Sequence, residues 1–140
     1  MLGSASQSTT LLGRVLVIDD DFETVDLLTA ILSDCGYDVL SALNGGDGLM
    51  LVDVERPDVM LLDLHMPGVP GFDVLRRVRM VRPDLPVVVV SGQTDLNLAR
   101  ATLDSGAVDY VAKPFDPETL IRAVAAALTN GPPPGRALSA

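Results

Sequence analysis

The strongest constraint on this chain is a five-fold alternation of short apolar runs with longer amphipathic stretches. The runs are Arg14–Ile18, Asp38–Ala42, Val59–Asp63, Val87–Ser91 and Asp109–Ala112. Four of them are nearly unbroken Val, Leu and Ile, the pattern of strands covered on both faces. Helical spacing follows each run. Phe22–Cys35 repeats Val25, Leu28, Ile31 and Leu32 and stops at Gly36, a good residue just past a helix end. Gly46–Val54 is weaker, because glycines crowd its start and predict a mobile segment. Phe72–Val81 carries Phe72, Leu75, Val78 and Met80 before Pro83, and Asp95–Ser105 is closed by Gly106. The last helix starts with Asp116 as cap and Pro117 in the first turn and runs to Leu128. Five consecutive β–α units with right-handed crossovers predict a doubly wound α/β domain around a five-stranded parallel sheet.

Composition narrows the function classes. The 140 residues are 48% apolar, enough for one domain over residues 14–128 with a core that needs no disulfide. Residues 1–13 read as a flexible N-terminal arm. Residues 129–140, with three prolines between two glycines, read as a tail or linker. A stand-alone domain is slightly favoured over a fragment of a longer protein. Cys35 is the lone cysteine, which excludes a disulfide framework, and it reads as a small buried hydrophobe. No apolar run reaches the roughly 18 residues that span a bilayer, and no secretory signal is evident, so no membrane contact and a cytoplasmic location are expected. The net charge of −9 argues against direct nucleic-acid binding. Of the nineteen acids, sixteen are Asp, while nine of the ten bases are Arg and Lys113 is the single lysine. Short Asp side chains suit caps and compact cation sites.

In an open α/β sheet, ligands bind beyond the carboxyl ends of the strands. The first run ends in Asp19-Asp20-Asp21, the third in Asp63, the fourth in Ser91, and the fifth leads into Lys113-Pro114. Adjacent strands lie about 4.8 Å apart, so these carboxylates are forced together and favour a hard divalent cation such as Mg²⁺. Lys113 supplies a point charge for phosphate and Ser91 a hydroxyl donor. Together these groups suit phosphoryl transfer.

The strings Val17-Ile18-Asp19-Asp20-Asp21, Leu61-Leu62-Asp63-Leu64-His65-Met66-Pro67, Val90-Ser91-Gly92 and Lys113-Pro114-Phe115 resemble those of receiver domains of two-component response regulators. The likeness covers about Arg14 to Leu128. It implies a flavodoxin-like (βα)5 fold with strand order 2-1-3-4-5. It also implies that Asp63 accepts a phosphoryl group from a histidine kinase or histidine phosphotransfer protein. By the same resemblance, Asp20, Asp63 and the backbone carbonyl of His65 ligate Mg²⁺, with Asp19 acting through water. Ser91 and Lys113 contact the phosphoryl group, and Tyr110 is the aromatic switch. The readout is a changed face of helix 4, strand 5 and helix 5, open to a second copy or an output domain, while the first helix offers a face to the kinase. His65 and Gln93 occupy positions that influence phosphate loss, and Pro70 replaces a common acidic residue. No enzymatic activity beyond self-phosphorylation and self-dephosphorylation is implied.

Plainer readings compete at single positions. Three Asp after a strand suit a helix cap, and capping is the expected role of Asp21. The His65 side chain reads as an exposed loop histidine. Arg76, Arg77, Arg79 and Arg82 read as a solvated helix face, and Ala123, Ala125, Ala126 and Ala127 as either helix propensity or a smooth contact surface. The main rival function is a haloacid-dehalogenase-type phosphatase, whose nucleophile would be Asp19 rather than Asp63. A second is a receiver-shaped interaction module that never takes phosphate. Nucleotide-binding glycine motifs are missing.

Overall fold

The computed structural model describes residues 12–66, 68–92 and 96–130. Most of the expected arm and tail, together with Gln93 and Asp95, lies outside the described residues. Among the described residues ten elements alternate: β1 (Arg14–Ile18), α1 (Phe22–Asp34), β2 (Asp38–Ala42), α2 (Gly45–Glu55), β3 (Val59–Leu62), α3 (Gly71–Val81), β4 (Val87–Ser91), α4 (Leu96–Asp104), β5 (Asp109–Ala112) and α5 (Pro117–Asn130). All strand pairs are parallel, in the order β2-β1-β3-β4-β5. This is the flavodoxin-like arrangement. The three inner strands β1, β3 and β4 are almost wholly buried, and the edge strands β2 and β5 are not.

Alternate strand residues feed two cores. Val15, Val17, Leu61, Val88 and Val90 pack under α1 and α5 with Leu28, Leu32, Leu120 and Val124. Leu16, Ile18, Met60, Leu62, Val87 and Val89 pack under α2 and α3 with Val52, Val74, Leu75 and Val78. Each fully buried aliphatic side chain contributes about 1.5–3 kcal/mol.

The helix ends follow the chemistry of their sequence. Asp21 caps α1 by accepting from Glu23 N–H and from the Thr24 hydroxyl at 2.7 Å. At the other end Gly36, at φ 102°, donates to Ser33 O while Tyr37 N–H reaches Leu32 O. Those two bonds define a Schellman turn, which requires the left-handed residue that glycine supplies at little cost. Gly106, at φ 109°, ends α4 in the same way, with bonds to Leu103 O and from Ala107 to Thr102 O.

Several details differ from expectation. α2 starts one residue early, capped by Asn44, and its glycines serve packing. A Cβ on Gly48 would lie 2.3 Å from Ile18 Cδ1, and one on Gly45 would lie 2.7 Å from Val74 Cγ2. Helix α2 therefore meets β1 at Gly48 and α3 at Gly45 through missing side chains. Met80 is 81% exposed, because Gly71, Val74, Leu75 and Val78 form the buried stripe of α3. Cys35 caps α1 only half-buried, at the margin of the core. Arg79 is no solvated side chain, since it donates to Gly106 O at 3.0 Å and to Leu85 O. Arg82 is also half-buried and pairs with Asp84 at 3.1 Å, whereas Arg76 and Arg77 are exposed as expected. In α5, Ala123 and Ala127 are spent on the core, leaving Ala125 and Ala126 outside.

Candidate functional site

The order β2-β1-β3 makes the chain leave β1 in opposite directions on its two sides, and a crevice opens beyond the carboxyl ends there. Three backbone bonds carry the parallel ladder one residue past the strands. Asp19 N–H donates to Ala42 O at 3.1 Å, Asp63 N–H to Ile18 O at 2.9 Å and Lys113 N–H to Ser91 O at 2.7 Å. Each of these residues is thus held at a fixed height above the sheet rim. Carboxylate oxygens of Asp19, Asp20 and Asp63 all lie within 4.8 Å of one another.

Both buried acids approach one ammonium group, that of Lys113. Asp19, 1% exposed, accepts from Asp21 N–H at 2.9 Å on Oδ1 and from Lys113 Nζ at 2.6 Å on Oδ2. Asp63, 5% exposed, accepts from His65 N–H at 3.2 Å on Oδ1. Its Oδ2 lies 3.7 Å from Lys113 Nζ, close enough for strong attraction and too far for a hydrogen bond. Burial raises the Asp63 pKa from its ordinary value, and the charges of Asp19 and Asp20 push the same way, while the His65 N–H and Lys113 oppose them. Asp20 is exposed at the rim and Ser91 is fully buried at the end of β4.

Three hard carboxylate donors, one of them open to solvent, fit Mg²⁺, which keeps several waters and takes few protein ligands. The lysine already offsets part of the negative charge, so the set suits a weakly held, exchangeable ion rather than a closed cage.

Leu64 and Met66, both buried against the α2–α3 core, anchor the turn after Asp63, while the His65 side chain points to solvent. Tyr110 packs half-buried against the same core. Asp21 is occupied as a helix cap, as expected. Pro70 precedes α3 at φ −62° and offers no side-chain cap. Asp19, Asp20, Asp63 and Lys113 therefore converge as the sequence predicts, with Ser91 at the neighbouring strand end.

Two contributions were not anticipated. Lys113 is paired directly with Asp19 rather than standing free. Gly71 lies against the turn carrying Asp63: a Cβ there would sit 2.5 Å from Leu64 Cα and 2.8 Å from Asp63 O. A Pro-Gly pair directly before an amphipathic run was the available signal.

The chain is similar to known proteins over nearly all its described length. A family model for the response regulator receiver domain matches residues 15–125. The DNA-binding response regulator MtrA of Mycolicibacterium smegmatis is 40% identical over 119 residues, covering 85% of this chain and 52% of that protein. This chain thus spans about half the length of such curated relatives. Protein PilH of Pseudomonas aeruginosa is 38% identical over 121 residues, and there the match covers 85% of this chain and 100% of that protein. Among solved structures, a CheY-like response regulator receiver domain protein of Methanospirillum hungatei superposes with a TM-score of 0.81 at 30% identity, over 86% of this chain and 96% of that one. By its matched residues and by its fold, this chain belongs to the response regulator receiver domain family.

Proposed function

We propose that Asp63 accepts a phosphoryl group from a phosphohistidine of a histidine kinase or a histidine phosphotransfer protein. The reading is carried by one observation, the two different environments of the Asp63 oxygens. Oδ1 is fixed by the His65 N–H, whereas Oδ2 faces Lys113 at 3.7 Å with no hydrogen bond to it. Oδ2 is the oxygen placed to attack phosphorus. The new O–P bond forms as the donor's P–N bond breaks, and the imidazole nitrogen leaves with the electron pair. Lys113 Nζ, close to both Asp19 and Asp63, would pair with the transferred oxygens, and the Ser91 hydroxyl would donate to one of them.

Mg²⁺ would be held by the carboxylates of Asp20 and Asp63 and the backbone carbonyl of His65, with Asp19 acting through water. Bound there, it would neutralise charge on the phosphoryl oxygens. Phosphorylation replaces one negative charge by nearly two beside Ser91 and Lys113. Tyr110 and the α4–β5–α5 face carry that change to a second copy or an output domain. The domain acts on no other molecule, works in the cytoplasm and makes no direct contact with nucleic acid or membrane. Among the described residues no helix is long and apolar enough to cross a membrane.

The test is intact-mass analysis after incubation with acetyl phosphate and Mg²⁺. Wild type is expected to gain one phosphoryl group and Asp63→Asn none. Equal labelling of both would overturn the assignment.

A further inference from the structure

We propose that the C-terminal ends of α2 and α3 form a docking site for a short acidic segment of a partner protein, seated on a pocket ringed by Arg56, Arg77 and Arg82. Helices of a parallel β–α fold run back toward the amino ends of the strands. The pocket therefore lies at the sheet rim opposite Asp63, separate from the phosphoryl site.

Charge is distributed unevenly in this molecule. The net charge is −9, yet five of the ten basic residues, Arg56, Arg76, Arg77, Arg79 and Arg82, belong to α3 and the two helix ends beside it. Arg79 is spent on backbone carbonyls and Arg76 pairs with Asp73. Arg56 and Arg77 make no ion pair with any described residue, although the charge of Arg56 helps lower the Asp84 pKa. Arg82 gives Nε and Nη2 to Asp84, while its Nη1 is buried without an acceptor. Asp53 is the one carboxylate lining the pocket.

The backbone at Arg56 points the same way. At φ 48° it is the sole non-glycine residue with positive φ among those described. Glycine or asparagine fills such a position after a helix at lower cost. An arginine stands there against its backbone preference, and it lines both this pocket and a neighbouring one.

The floor identifies the class of occupant. The pocket holds about 290 Å³ and is lined by Leu49, Val52 and Val81 between the arginines. Val81 is 67% exposed, and its neighbour Met80 extends the apolar surface outward. A bare inorganic anion would use the guanidiniums and leave this aliphatic surface wet. A peptide with carboxylates flanking one Leu or Ile uses both, and arginine pairs with carboxylates in a directional, two-pronged way.

The probe is a fluorescein-labelled peptide, Gly-Glu-Asp-Leu-Glu-Asp-Gly, followed by anisotropy at 0.15 M salt. There the Debye length is about 8 Å, so the local patch outweighs the distant negative charges. Saturable binding is expected, weakened at least tenfold by Arg56→Gly with Arg77→Ala and unchanged by Arg100→Ala on α4. Arg56→Gly suits the backbone, so this variant is expected to fold at least as well as wild type, which thermal melting checks. Unsaturable binding, or equal binding by the double variant, would overturn the proposal. So would displacement of the peptide by inorganic phosphate or ATP at lower concentration than by unlabelled peptide, which would indicate a small-anion site.

Discussion

Replacing Asp63 with Asn in metal-free protein is expected to raise stability, although it removes the proposed phosphoacceptor. Carboxylate oxygens of Asp19, Asp20 and Asp63 lie within 4.8 Å of one another. At that spacing each pair of charges repels by roughly 3 kcal/mol at an effective dielectric of 20. Lys113, 3.7 Å from Asp63, returns roughly 4 kcal/mol on the same scale. Two repulsions exceed one attraction by about 2 kcal/mol, burial of Asp63 adds to the cost, and solvent around Asp20 reduces it. Asparagine keeps the oxygen that accepts from His65 and removes the charge. The expected gain is about 1–3 kcal/mol, or several degrees in Tm for a domain of this size. The sign with pH follows from the raised folded-state pKa of Asp63. The ionised group costs stability above that pKa, and the cost vanishes as pH falls below the ordinary aspartate range near 4. The advantage of Asp63→Asn is therefore largest at neutral pH and lost in acid. Urea unfolding in EDTA across pH measures it, and Mg²⁺ added at 100 times its Kd is expected to return about 2.7 kcal/mol to wild type and far less to the variant. A variant that is no more stable than wild type at pH 7 in EDTA would refute this electrostatic reasoning.

Other substitutions separate the scaffold from the site. Lys113→Met leaves the buried Asp19 carboxylate without its 2.6 Å partner. A loss of about 2 kcal/mol in EDTA is expected, with steeper Mg²⁺ stabilisation, both read from urea titrations. Gly48→Ala puts a methyl group against Ile18. Overpacking of about 1–3 kcal/mol is expected to exceed the roughly 1 kcal/mol helix gain, and Ile18→Val to relieve it in a double-mutant cycle. Arg79→Ala breaks bonds to three backbone carbonyls, of Gly106, Arg82 and Leu85, and is expected to cost about 1–3 kcal/mol. Exposed Arg76→Ala is expected to stay within about 0.5 kcal/mol, and thermal melts compare the two.

The parallel sheet was legible because the inner strands are buried on both faces and so consist of unbroken aliphatic runs, with the capping Asp and closing Gly marking helix ends, whereas its strand order came from the resemblance to receiver domains and not from the run pattern. The site was legible for a related reason: residues ending parallel strands must share one rim, so Asp19, Asp63, Ser91 and Lys113 can be brought together from element order alone. Contacts that depend on side-chain reach between elements were not. Arg79 reads as one more surface arginine until the loop before β4 and the turn after α4 place carbonyls within its range. Gly45 and Gly48 read as helix breakers until the approach of Ile18 and Val74 explains them. Met80 followed the apolar pattern of α3, yet one residue of rotation puts it in water.

The most direct test of the central claim is to identify the residue that carries the phosphoryl group. Protein treated with acetyl phosphate and Mg²⁺ is reduced with borohydride, which converts an acyl phosphate to an alcohol, and digested for tandem mass spectrometry. Conversion of Asp63 to homoserine is the predicted result. Homoserine at Asp19 with Asp63 intact would contradict the account and favour a first-strand nucleophile.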